Sequence, residues 1–139
     1  MPSVASRSGL ARRLVVLEVL LVLGAIGGGL VLIIGFLDLQ EMTEDLPWQS
    51  PVVGGVALLA INAAFPLVVI AAELRRHRLA SLGHLLVGVD LLVWIVVQVA
   101  FIGFTSALQA IYLAYGVAVT WLAWRLPDRP GRETVTPAG

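Results

Sequence analysis

Long apolar runs alternate with short polar connections along the whole chain. The first run extends from Leu14 to Leu37 and is interrupted by a single charge, Glu18. A helix of about 24 residues rises roughly 36 Å, enough to cross a hydrocarbon core of about 30 Å with some tilt. The second run is Val52 to Ala72, with Asn62 near its middle and Pro66 one turn later. Proline inside a membrane helix removes a backbone donor, so a local break is expected near Asn62. From Leu79 to Trp124 the apolar tract is about twice the length of one span, and two helices joined at Gly103-Phe104-Thr105-Ser106 account for it.

This pattern predicts an all-α, four-helix transmembrane bundle with spans near 14–37, 52–72, 80–102 and 105–124. An N-terminal segment 1–13 precedes it, and a tail 125–139, rich in proline, glycine and charge, follows it and is read as disordered. Leu14–Leu37 is read as a span and not as a signal peptide, because it exceeds an h-region of about 7–15 residues and no A-x-A site follows.

Charge placement orients the bundle. The chain has nine basic residues, all arginine. They fall before residue 14, between 75 and 78, and from 125 onward. Under the positive-inside rule all three segments, and therefore both termini, belong in the cytoplasm. The Asp38–Ser50 connection holds Asp38, Glu41, Glu44 and Asp45 with no basic residue, and faces outward. Trp48 on that side, and Trp121 and Trp124 on the other, suit the interfacial aromatic belts. Arg75, Arg76 and Arg78 are candidate contacts for anionic lipid headgroups, beyond their topological role.

Composition narrows the chemistry. The chain is 59% hydrophobic with a net charge of zero, so neither a soluble domain nor nucleic-acid binding is indicated. It contains no cysteine, and with no lysine either, thiolate and Schiff-base chemistry are ruled out. No G-x-S-x-G, H-E-x-x-H or phosphate-cradling loop is present, so the chain is not read as an enzyme and no cofactor is implied. His77 and His84, seven residues apart, do not make a metal site. The outer acids do not supply the ordered set of six to eight oxygens that calcium requires.

The polar residues inside the spans are the candidate site, since each is costly in lipid. They are Asp90, Glu18, Asn62 and His84, with Gln98 and Gln109. Helix rise places Glu18, Asn62 and Asp90 at depths from which they can meet between the first three helices. Asp90, Trp94 and Gln98 follow at i, i+4 and i+8, roughly on one face, and Gln98 and Gln109 are positioned to pair across the hairpin. One reading makes Asp90 a protonatable transport site assisted by Glu18, Asn62 and His84, with Asp90→Asn expected to stop flux. The other makes these residues interhelical glue. Small residues point to close packing: Gly24/Gly28 and Ala25/Gly29 on the first helix, and Ala110, Ala114 and Ala118 on the fourth.

Trp94-Ile95-Val96-Val97-Gln98, then Ile102-Gly103, then Ser106-x-Leu108-Gln109, resembles a motif of small bacterial four-helix membrane proteins of undefined function. The glycine-rich first span, Ser50-Pro51 and the Arg75–Arg78 loop are similar too, so the likeness runs from about Gly27 to Trp124. It departs at Ala110, where the pattern has proline, and is loosely like the DoxX-type architecture. The resemblance implies the fold and a bacterial inner-membrane setting, and carries over no functional residues. Small size, tiny loops and small-residue stripes favour an accessory or scaffolding subunit of a larger membrane complex. The alternative is a small homo-oligomeric, proton-coupled transporter or channel. In either case the lipid bilayer is the first partner.

Overall fold

The structure, a computed structural model, describes residues 4–35, 44, 49–104 and 106–127, with side chains from residue 7 onward. The acidic residues Asp38, Glu41 and Asp45, Trp48, Thr105 and the tail beyond residue 127 lie outside the described residues.

Helix α1 spans Val4–Ile34, α2 Pro51–Leu59, α3 Phe65–Leu74, α4 Ala80–Ile102 and α5 Ala107–Trp124. A single π turn, Ala60–Ala64, joins α2 to α3 so that the two form one membrane-length element. The result is an all-helical bundle of four elements, each long and apolar enough to cross a membrane. Helices are the structures to expect here, because lipid offers no partner for a free backbone group. Large apolar residues such as Leu23, Val68, Val96 and Ile111 face outward, the inverse of a soluble protein and the surface a bilayer solvates. The chain is a multi-pass membrane protein.

Each helix packs on its neighbours in sequence, and α5 returns to α1 to close the ring. Helix α1 starts about ten residues ahead of the first long apolar run, because Arg7, Arg12 and Arg13 are good helix formers and do not end it. The break expected at Asn62 takes the form of the π turn. Pro66 has no N–H to give the carbonyl four residues earlier, and that carbonyl belongs to Asn62.

Two connections carry their own chemistry. After α3, His77 N–H bonds Ala72 O at 2.8 Å and Arg76 N–H bonds Glu73 O at 2.9 Å, a Schellman ending with Arg76 in the left-handed region at φ 56°. Between α4 and α5, Gly103 adopts φ 70°, which a side chain would strain. Ser106 then caps α5: its Oγ accepts from Leu108 N–H at 3.2 Å, and Gln109 Oε1 accepts from Ser106 N–H at 3.2 Å.

Small residues set the helix spacing, on faces that the sequence marks only in part. Gly29 of α1 meets Gly55 of α2: a Cβ on Gly55 would lie 2.7 Å from the Gly29 carbonyl oxygen. Gly88 of α4 rides on Thr120 of α5, where a Cβ would lie 2.6 Å from the Thr120 backbone nitrogen. The Ala110, Ala114 and Ala118 row, by contrast, is exposed on the outside of the bundle. Packing on α5 runs instead through Gly116, Val119 and Ala123. Gly88→Val should therefore lower stability by about 1–3 kcal/mol through overpacking. Ala114→Val should stay within about 0.5 kcal/mol. Thermal unfolding in one detergent, compared across the two variants, checks both values.

Candidate functional site

The start of α1 and the end of α5 lie at one end of the bundle, and there Arg7 ties three further segments to α1. Its guanidinium donates from Nη1 to Glu73 Oε1 at 3.0 Å and from Nη2 to Glu73 Oε2 at 3.5 Å, at the end of α3. Nη2 also donates to Ser81 Oγ of α4 at 3.2 Å, and Nε donates to the Pro127 carbonyl, just past α5, at 3.0 Å. One planar fork thus holds α1, α3, α4 and the chain after α5 in register, as arginine's geometry permits.

A second contact lies deeper. His84 Nδ1 and Glu18 Oε1 are 2.7 Å apart, and both side chains are 0% exposed. Glu18 is about 16 Å from Arg7 along α1 at the helical rise. The two layers meet at Glu73, whose Oε2 stands 3.6 Å from His84 Nε2. That separation is an ion-pair distance and not a hydrogen bond. Glu18 Oε2 and His84 Nε2 have no hydrogen-bond partner among the described residues. Tyr115 of α5 donates its hydroxyl to the Leu17 carbonyl beside this pair.

Proton bookkeeping follows from the geometry. A hydrogen bond between Nδ1 and Oε1 requires one proton between them, whichever atom carries it. With only that proton, the Glu18–His84 pair is an anion. A further proton on Nε2 makes the pair neutral, and with Arg7 and Glu73 the whole cluster is then neutral. A proton on Nε2 is thus the difference between net charges of −1 and zero for the cluster, and Nε2 faces the carboxylate that Arg7 holds.

Above the cluster, Leu21, Val69, Val87 and Leu91 form a buried apolar layer. Beyond it lies a cavity of about 450 Å³ bounded by all four spans. The glycine side of α1 (Gly24, Gly28), Trp94 and Gln98 of α4, and Tyr112 of α5 line it, and it reaches the α4–α5 turn at Ile102 and Ser106. Asn62, carried by the π turn, also lines it. Asn62 is 1% exposed, and neither its amide oxygen nor its amide nitrogen has a hydrogen-bond partner among the described residues.

The structure brings Glu18 and His84 into direct contact and adds Arg7, Glu73 and Ser81. It does not bring Asn62 or Asp90 to them. Asn62 belongs to the cavity on the other side of the apolar layer. Asp90 is half-buried on the face of α4 shared by the exposed Leu86, Val93 and Val97, and makes no hydrogen bond or ion pair with a described residue. Gln98 and Gln109 both line the cavity but form no bond with each other. Gln109 is engaged in the α5 cap and donates from Nε2 to Gly103 O at 3.1 Å. Arg75, Arg76 and Arg78 are exposed at the same end as Arg7.

Reading the sequence misses Arg7 and Glu73, which pass for topological charges at helix ends. The available signal is their opposite sign at matching depth on neighbouring spans.

Comparison with known proteins adds no assignment: no family model, curated protein or solved structure matches the chain.

Arg7→Leu should cost on the order of 3 kcal/mol, because it leaves Glu73 charged and without its main partner at the bundle end. The double variant Arg7→Leu/Glu73→Leu should regain most of that loss. Denaturation midpoints of the two variants, measured in the same detergent, check the pair; equal losses in both would contradict the assignment.

Proposed function

We propose that the protein is a small proton-coupled carrier of the bacterial cytoplasmic membrane, tied shut at the Arg7 end, with its cavity toward the opposite end. The single observation that carries this reading is the sharing of Glu73 between Arg7 and His84. Arg7 holds Glu73 and closes the terminal end. A proton arriving on His84 Nε2 gives Glu73 a facing N–H 3.6 Å away, on a ring that is cationic when the shared proton sits on Nδ1. Glu73 then has less need of Arg7, and the fork that ties four segments together loosens. Proton binding at the buried pair is in this way coupled to opening at the Arg7 end. The apolar layer at Leu21, Val69, Val87 and Leu91 separates the cavity from the proton site, as alternating access requires. The arginine distribution orients the locked end toward the cytoplasm. The bacterial setting follows the resemblance to small four-helix membrane proteins, loosely DoxX-like.

Reconstituted into liposomes with a trapped pH dye and an imposed membrane potential, the wild-type protein should carry protons inward. Glu18→Gln and His84→Asn should stop that movement. Asp90→Asn should leave it in place, because Asp90 is outside the network. Dye responses equal in wild type and Glu18→Gln would remove the carrier reading.

A second reading, an accessory subunit of a larger membrane assembly or a homo-oligomer, is favoured by Asp90 itself. An acid on a lipid-facing flank with no internal partner is costly, and a neighbouring helix that covers it lowers that cost. The outward Ala110, Ala114 and Ala118 row allows close approach of another helix on a different flank. In nanodiscs excised directly from membranes, Asp90→Leu should reduce the native mass of the particle. An unchanged mass would count against Asp90 as a contact.

A further inference from the structure

We infer that the cavity is a binding site for an uncharged aromatic molecule carrying an amide-like donor–acceptor group, with Asn62 as the residue that reads it. The inference rests on the carrier reading in that it names the class of cargo.

Three independent features point there. The first is Asn62. A side-chain amide has two donors and two acceptor lone pairs, and an amide buried without partners costs on the order of 1–3 kcal/mol. Asn62 is 1% exposed and neither amide atom is satisfied among the described residues. Unlike the cluster residues, it has no neighbour to share a proton or charge with. Its natural partner is a group that donates and accepts in one plane, as a carboxamide does.

The second is the π turn. Ala60–Ala64 departs from α-helical register at the position that carries Asn62, and single π turns occur often at functional sites. The third is the character of the walls. Among the described residues no charged side chain lines the cavity, and walls of this character suit an uncharged occupant. Trp94 and Tyr112 supply aromatic surface from two helices, and aromatic rings prefer to pack on one another in offset or edge-on arrangements. The Tyr112 hydroxyl rests on Gly24, where a Cβ would lie 2.7 Å from it. That close approach lets the ring stand at the cavity wall. The volume of about 450 Å³ is in the range of small-molecule sites.

The test uses two probes of the same outline, benzanilide and trans-stilbene, which differ in having an amide or a vinylene link. A ligand that binds the folded state raises the thermal midpoint. Benzanilide should raise the midpoint of the detergent-solubilised full chain well beyond stilbene. Asn62→Leu should reverse the order, with benzanilide affinity falling at least about tenfold, because the residue that distinguishes the links is gone. Asn62→Leu should also raise the midpoint without any ligand, since it removes an unsatisfied amide. Asn62→Ala should lose the preference for benzanilide in the same way, and serves if the leucine does not fit the π turn.

Equal shifts by the two probes in wild type would overturn the proposal, as would an unchanged preference in both Asn62 variants. Benzanilide binding without Glu18-dependent proton movement would keep the site and remove the carrier. Proton movement without a benzanilide preference would keep the carrier and overturn this cargo class.

Discussion

The carboxylate of Glu73 cannot be left alone at the end of a helix bundle surrounded by lipid, and that constraint organises the terminal end. Arg7 answers it from α1, with two nitrogens on the two oxygens, and uses its remaining donors on Ser81 and the Pro127 carbonyl. Three spans and the chain just past the fourth are then joined in one hydrogen-bonded set. His84 and Glu18, fully buried one layer deeper, are possible only because they face each other; alone, either would be an unsolvated polar group. A buried ionic set of this kind is weak evidence for stability, since well-packed apolar residues often do as well. The proposed carrier reading gives the set a use, a change of charge that alters which partner holds Glu73.

The opposite half of the bundle is built by contrary means. Among the described residues it contains no comparable ionic network, and its helices approach through backbone contacts such as Gly29 on Gly55. In lipid, where apolar surface gains nothing by leaving the solvent, close packing of this sort drives association. Nearer the turn, the walls part around Asn62 and leave the cavity. Among the described residues the bundle is therefore tied by charge at one end, packed through small residues along its length and hollow toward the α4–α5 turn.

Much of the architecture is legible in the sequence, for physical reasons. Lipid fixes span lengths, so four apolar runs specify four helices, and Pro66 announces a local break that the structure renders as a π turn. Helix faces are less legible. With apolar residues on every side, periodicity does not separate the core-facing row from the lipid-facing one. The Ala110, Ala114 and Ala118 row therefore reads as packing although it faces out. The same ambiguity hides the site. Depth along the axis suggests that Glu18, Asn62 and Asp90 meet, but rotation about each helix decides. His84 turns to Glu18, Asn62 turns to the cavity and Asp90 turns to the flank. Arg7 and Glu73 escape notice because a charge near a helix end has a ready topological explanation.

The central claim of the proposal is that the Arg7 fork seals its end of the bundle while the cavity admits water. Because the chain has no cysteine, an introduced one is the only thiol, and its rate of reaction with a water-soluble maleimide in nanodiscs reports access directly. Gln98→Cys, in the cavity, should react rapidly, and Ser81→Cys, beneath the Arg7 fork, slowly. A Ser81→Cys variant that reacts as fast as Gln98→Cys would show that the fork seals nothing, and would contradict the account at its foundation.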